Sequence, residues 1–136
     1  MPEVHRSTVS ITFHGDDLCP EELTRQLGAS PTKSHRKGEQ KSSSSPDLIW
    51  SRGFWALDFS GELSEALDMQ ISHLLGCLTD DLQIWLNFTS RFEVRIFVGL
   101  FLHEWNEMTD ISQQTLKLLA DRGLRIAFDI YGQSDS

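Results

Sequence analysis

Alternation of apolar and polar residues predicts four β-strands in this chain. In the first strand, Val9, Ile11 and Phe13 share one face, and hydroxyl-bearing residues occupy the other. A strand with one apolar and one polar face is typically half buried in a sheet. The longest pattern, over 92–102, starts in this way and then becomes apolar on both faces. The predicted strands are 9–13, 50–59, 92–102 and 124–131.

Apolar residues spaced three or four positions apart predict helices between these strands. The first helix begins with Pro20, directly after Cys19, and ends at Gly28. Proline is favoured at the first helical position and glycine just past the last one. The last helix runs over 113–122, with Ser112 as its N-cap residue.

The longest helix is predicted to begin near Ser60 and to bury one stripe of its surface. A short helix follows it, capped by Thr79 or Asp80. The stripe of the long helix comprises Leu63, Leu67, Ile71, Leu74, Leu75 and Leu78.

The order of strands and helices predicts the fold class. We expect a single α+β domain over 1–136, with a four-stranded, mainly antiparallel sheet, helices largely on one face and a ferredoxin-like plan. Residues 29–48, rich in serine and lysine, are expected to form a mobile, solvated loop. An anion-binding lid is the alternative, because the stretch between Pro31 and Pro46 has four basic side chains and one acidic one.

A formal net charge of -8 and a pI near 4.9 argue against nucleic acid or an anionic membrane as the main partner. A basic protein partner fits this charge better. The two cysteines, Cys19 and Cys77, show no paired spacing, which is typical of free thiols in a reducing compartment. With neither a signal-peptide layout nor an apolar run of about 20 residues, we expect a cytoplasmic protein.

Short motifs along nearly the whole chain resemble the bacterial domain-of-unknown-function family DUF4279. The resemblance implies a shared fold and carries no established activity. Members of that family commonly have Asp where this chain has Cys19. The motifs are Cys19-Pro20-Glu21-Glu22-Leu23, Leu27-Gly28, Pro31-Thr32, Lys37-Gly38, Trp55, His73-Leu74-Leu75 and Phe128-Asp129-Ile130-Tyr131.

Two groups of residues have chemistry that could serve catalysis or metal binding. A thiol at a helix N-terminus, as expected for Cys19, is activated by the helix dipole, but a nucleophile also needs a base and an oxyanion site. The segment His14-Gly15-Asp16-Asp17 offers an imidazole and two carboxylates, fewer ligands than a metal site normally needs. We therefore expect no catalytic residue, no metal site and no cofactor.

The most promising surface is the face of the sheet that the helices leave open. Five polar residues are expected to gather there as a partner- or ligand-binding patch: Glu93, Arg95, Arg125, Asp129 and Tyr131. The alternative is plain cross-strand pairing of Arg95 with Glu93 or of Arg125 with Asp129. Aromatic residues on strand faces outside the main alternation are assigned to the core, with interface anchors as the alternative: Trp50, Phe54, Phe97, Phe101 and Trp105.

These observations favour a noncatalytic protein-interaction module, such as an immunity-type inhibitor that neutralises a basic toxin. The alternative is a domain that binds a small ligand or an anion on the open face of the sheet.

Overall fold

The computed structural model describes residues 4, 6–44 and 47–132. Its elements form one five-stranded mixed sheet in the order β2-β3-β1-β4-β5. β1 is antiparallel to both β3 and β4, β2 is antiparallel to β3, and β4 and β5 are parallel. Along the chain the elements are β1 (Arg6–Gly15), α1 (Pro20–Leu27), β2 (Lys33–His35), β3 (Gly53–Asp58), α2 (Leu67–Gly76), α3 (Leu82–Arg91), β4 (Glu93–Phe101), α4 (Gln113–Asp121) and β5 (Arg125–Tyr131).

The α+β class is confirmed, and three of the four strand pairings are antiparallel, but the sheet has five strands instead of the expected four. The additional strand, β2, has only three residues, all polar, and its pattern carries no apolar alternation. The last two strands are parallel because the connection through α4 returns the chain to the end of the sheet where β4 begins, and β5 starts from that same end. The sheet therefore departs from the expected ferredoxin-like plan.

All four helices lie on one face of the sheet. Each contributes buried side chains to a single apolar cluster, and the strand residues in that cluster all belong to one face. In β1 these are Val9, Ile11 and Phe13. Phe13, for example, is paired with Trp55 of β3 on one side and with Val94 of β4 on the other. No residue of the opposite sheet face is part of the cluster.

Four aromatic rings form the centre of this core. Phe13 contacts Trp55 edge-on at 5.5 Å between ring centroids, and it contacts Trp85 at 6.2 Å and Phe88 at 6.0 Å. Both indole N–H groups are satisfied, because Trp55 donates to the Thr24 hydroxyl and Trp85 to a backbone carbonyl. Burial of a Trp requires such a partner for its N–H group.

The predicted ends of the first and last helices are confirmed. Pro20 is the first residue of α1, and Gly28 follows its last turn with φ of 82° in the left-handed region. In α4 the Ser112 hydroxyl accepts from the Thr115 amide at 3.2 Å, as an N-cap residue does. The N-cap residue of α3 is Asp81, one position after Asp80 and two after Thr79, the predicted alternatives.

The second helix is shorter than predicted, because α2 begins at Leu67 rather than near Ser60. The Leu63 carbonyl accepts a hydrogen bond from the Ser7 amide of β1 at 3.0 Å. The buried Gln70 side chain donates to the carbonyls of Leu63 and Glu65 and to the Ser7 hydroxyl. These contacts hold 60–66 against β1 as a loop, so its first carbonyls are not available for a helical turn.

The segment 29–48, expected as a mobile loop, contains regular structure in its described part. It holds β2 and then one side of a hairpin arm, defined here as residues 36–44 and 47–52. Backbone hydrogen bonds link the two sides of the arm, from Gly38 to Trp50, from Trp50 to Glu39 and from Lys41 to Leu48. Residues 45–46, together with 1–3, 5 and 133–136 of the expected domain, lie outside the described residues.

The helix-side face of β5 is more exposed than its alternation suggests. Phe128 and Ile130 are 46% and 60% exposed, although they lie on the same face as the core residues of β4. β5 is an edge strand, and the buried residues of α4 are only Thr115 and Leu119.

Among the described residues, no helix is both long and apolar enough to cross a membrane.

Replacing Phe13 by Ala should lower the free energy of unfolding by about 3–5 kcal/mol, because it leaves a cavity among three aromatic rings. The matched control is Phe97→Ala on the open sheet face, where the loss should be less than about half as large. Urea unfolding of both variants measures the difference. Equal losses would contradict a core confined to one face.

Candidate functional site

The open face of the sheet carries all five polar residues of the expected patch. Strand register places Glu93 beside His14, Arg95 beside Arg125, and Tyr131 beside Phe101. All lie on the face opposite the apolar cluster. The sequence pattern of β4 and β5 therefore puts these side chains on one surface, as strand alternation requires.

Most of these residues are engaged with one another. Glu93 accepts from Arg125 at 2.9 Å and from Arg52 at 3.1 Å, and Asp129 accepts from the Tyr131 hydroxyl at 2.8 Å. The hydrogen bond from Arg52 is the main cause of a lowered pKa at Glu93. The hydrogen bond to Asp129, and that carboxylate's charge, raise the pKa of Tyr131. Arg125 thus pairs with Glu93 of the neighbouring strand rather than with Asp129.

Arg95 lies at the middle of this face. Its guanidinium carbon is 5.4 Å from the centre of the Phe97 ring, within the range of a cation–π contact. Its Nε atom is buried and has no hydrogen-bond partner among the described residues, and the same holds for the hydroxyl of Thr12, its register partner. A polar group that binds both atoms would remove this desolvation cost.

A cleft of about 830 Å³ lies where the hairpin arm meets the open face. β1 contributes His14, β3 contributes Phe54, and β2 contributes all three of its residues. The arm and Thr32, which precedes β2, supply the remaining wall. The lining residues are His14, Thr32, Lys33, Ser34, His35, Glu39, Gln40, Trp50, Ser51, Arg52 and Phe54.

A row of stacked rings attaches the arm to the sheet. His35 of β2 stacks on Trp50 of the arm with 3.8 Å between ring centroids and 7° between planes. It also stacks on Phe54 at 5.4 Å, and Phe54 contacts His14 at 4.9 Å. The Lys41 ammonium lies 5.0 Å from the centre of the Trp50 ring. The arm's position therefore depends on ring stacking across three strands.

Both imidazoles in this row are held in the neutral form. Burial lowers the pKa of His14 below its usual 6.5, and the nearby Arg52 charge lowers it further. Burial also lowers the pKa of His35. At pH 7 the cations that line the cleft are therefore Lys33 and Arg52, and Glu39 is the anion.

Sequence patterns missed this cleft as a site. The sequence pattern assigns five aromatic residues to the core, yet none of them belongs to it: Trp50, Phe54, Phe97, Phe101 and Trp105. Their position outside the main alternation was the available signal, and it favours the other alternative, partly exposed rings. No pattern could place His35 here, because its position depends on pairing between β2 and β3, or Arg52, which directly precedes β3.

The other candidate residues lie near the cleft without forming a reactive constellation in the described part of the chain. The Cys19 sulfur contacts the Arg36 guanidinium at 3.3 Å and the Glu21 carboxylate at 3.4 Å, with no imidazole bonded to it. Asp16 pairs with Lys37 at 3.5 Å. The described residues contain no group of three or more His, Cys, Asp or Glu side chains arranged to hold a metal ion.

The fold and the cleft define an α+β domain with one helix-covered and one open sheet face. Residues 3–133 match the family model described as Domain of unknown function (DUF4279). The match covers nearly the whole chain, so the protein belongs to this family and the resemblance noted from its motifs is confirmed. Comparison with curated proteins gave no match, and comparison with solved structures gave none.

Stability should fall as the pH drops from about 7 to 5. Because the folded-state pKa values of His14 and His35 lie below 6.5, the unfolded chain binds protons first, and stability is lost as pH falls through 6.5 towards the folded values. In the double variant His14→Gln/His35→Gln, the free energy of unfolding should fall less steeply with decreasing pH. Urea unfolding at a series of pH values measures this slope. An unchanged slope in the double variant would contradict the assignment of this pH dependence to His14 and His35.

Proposed function

We propose that the chain is a noncatalytic binding domain that takes a small, negatively charged aromatic molecule in the cleft between the open sheet face and the hairpin arm. One observation carries the proposal. In a protein of net charge -8, this cleft presents Lys33 and Arg52 beside a row of aromatic rings.

The orientation of the rings favours an anion. His35 stacks on both Trp50 and Phe54, and the Lys41 ammonium lies over the Trp50 ring, so in the proposed complex the ligand would meet ring edges. The edge of an aromatic ring carries partial positive charge and its face partial negative charge. Ring edges and two cations, which outnumber the single carboxylate of the lining, Glu39, favour a negative group, and the apolar ring carbons favour a flat hydrocarbon body beside it.

A positioning role for the two imidazoles supports binding rather than catalysis. Both belong to the ring row that attaches the arm to the sheet. Accepting a proton from a ligand would charge a group that burial keeps neutral. We therefore assign His14 and His35 to the architecture of the cleft.

Binding is measured with phenyl phosphate as the probe, followed by amide shifts in NMR spectra of the labelled protein. We expect the shifts at 32–35 and 50–54. Lys33→Gln and Arg52→Gln should each raise the Kd about two- to fivefold, as expected for a solvent-exposed ion pair.

The matched control is Lys117→Gln, which removes an exposed lysine of α4 outside the cleft and should leave the Kd unchanged. Phenol, which lacks the negative group, should bind more weakly than phenyl phosphate. Shifts confined to other surfaces, or equal binding of both compounds, would overturn the proposal.

A second candidate function, docking of a basic protein, is favoured by the loops 59–66 and 102–112. These loops flank the start of β1, since Leu63 accepts from the Ser7 amide and Met108 from the Val4 amide. Together they carry five carboxylates and no lysine or arginine. Trp105, between two of these carboxylates, is 95% exposed. An exposed Trp in an acidic surface suits a basic partner, such as the toxin of an immunity-type pair.

If the docking function holds, the tagged chain should recover a basic protein in a one-to-one ratio from lysate of its source cells. Trp105→Ala and Glu104→Lys should abolish recovery, since they remove the anchor and reverse a charge. Lys33→Gln in the cleft should not change it. A partner that still binds Trp105→Ala would place the interface elsewhere and contradict this second candidate.

A further inference from the structure

We propose that two copies of this chain associate through the outer edge of β5, in antiparallel pairing with Ala127 of each copy on the two-fold axis. The pairing joins the two sheets into one. It concerns the edge opposite the cleft, so it stands independently of the proposed function.

The two edges of the sheet differ in how they are protected. β2 is a three-residue edge strand of polar residues, and short polar edges resist further pairing. β5 is a seven-residue edge strand without proline or bulge. In the described ranges no segment pairs with its outer side. An apolar edge strand of this length is a template for another strand unless something covers it.

The backbone groups of β5 that face outward can be identified. The Tyr131 carbonyl accepts from the Leu102 amide after β4, at 3.0 Å, so the backbone groups of Tyr131 point towards β4. Backbone groups alternate sides along a strand. The amides and carbonyls of Ile126, Phe128 and Ile130 therefore point to the outer edge, where an antiparallel strand would bind them.

The side chains of these residues favour a second apolar strand. Phe128 and Ile130 are 46% and 60% exposed on the helix side of the sheet. In the proposed register Ile126 lies opposite the other copy's Phe128, and Ile130 lies beside the start of the other copy's β5. The symmetry repeats the Ile126–Phe128 pair, so the exposed Phe128 of each copy gains an apolar neighbour.

Charge complementarity selects this register. With Ala127 on the axis, Arg125 of each copy lies opposite Asp129 of the other, which places two opposite-charge pairs on the open face. A shift by two residues brings Arg125 opposite Tyr131 or Ala127, and both pairs are lost. Arg125 can keep its 2.9 Å bond to Glu93, because a guanidinium has five N–H donors.

Alanine at the axis suits the close approach that this register creates. Because the backbone groups of Ala127 point towards β4, the two Ala127 residues form a non-hydrogen-bonded pair. In such a pair the Cα atoms are about 4.5 Å apart, closer than in hydrogen-bonded pairs. A methyl group fits this separation on the open face.

The test is sedimentation equilibrium of the full chain from about 1 μM to 1 mM in about 0.15 M salt, where repulsion between the two net charges is screened over about 8 Å. Wild type should form a dimer. Arg125→Asp places Asp opposite Asp129, and Asp129→Arg places Arg opposite Arg125. Each variant alone should raise the dimer Kd about tenfold or more, because two like-charge pairs replace two attractive ones.

Mixing the two variants is the decisive measurement. In the mixed dimer, Asp at 125 faces Arg at 129, and Asp129 faces Arg125, so both pairs are again attractive and the heterodimer should form at wild-type concentrations. Circular dichroism establishes that each variant is folded. A wild-type chain that remains monomeric, or a dimer that neither variant weakens, or a mixture that does not recover association would each overturn the proposal.

Discussion

The pairing of β1 with strands on both sides is the constraint on which the rest of the structure depends. β1 is hydrogen-bonded to β3 and β4, and its odd-numbered residues form the middle of the apolar cluster. Those residues can be buried only if the helices pack on their side. Phe13 illustrates the result, because it contacts rings from both β3 and α3. One strand therefore sets which face is covered and which remains open.

The open face is stabilised by side chains instead of a second layer. Towards β4 and β5, charged residues pair across strands, with Glu93 bonded to both Arg52 and Arg125. Towards β2 and β3, the hairpin arm lies over the sheet on a row of stacked rings. Arg52 links the two regions, since it belongs to the arm, lines the cleft and bonds to β4. The cleft is thus part of the same arrangement that compensates for the missing layer.

Local signals in the sequence predicted local structure well. Pro20, Gly28 and Ser112 mark helix ends through interactions within a few residues, and alternation located the strands around Phe13 and Val98. Apart from the N-cap of α3, the failures concern contacts distant in sequence. β2 forms because Lys33–His35 pairs with β3, and α2 starts late because Leu63 is bound to Ser7. Residues 14, 35, 50 and 54 line the same cleft, and no spacing pattern along the chain predicts that they lie together.

The positions of the cleft and of β5 determine how the two proposals relate physically. The cleft lies at the β2 and β3 side of the sheet, and β5 is the opposite edge. Pairing through β5 would leave both clefts at the outer sides of the joined sheet, open to ligand. Arg125 would then be shared between Glu93, which also holds Arg52 of the cleft, and Asp129 of the other copy. A change in ligand binding at Arg52 could reach the interface only through Glu93, a solvent-exposed carboxylate, so coupling between the cleft and the interface should be weak.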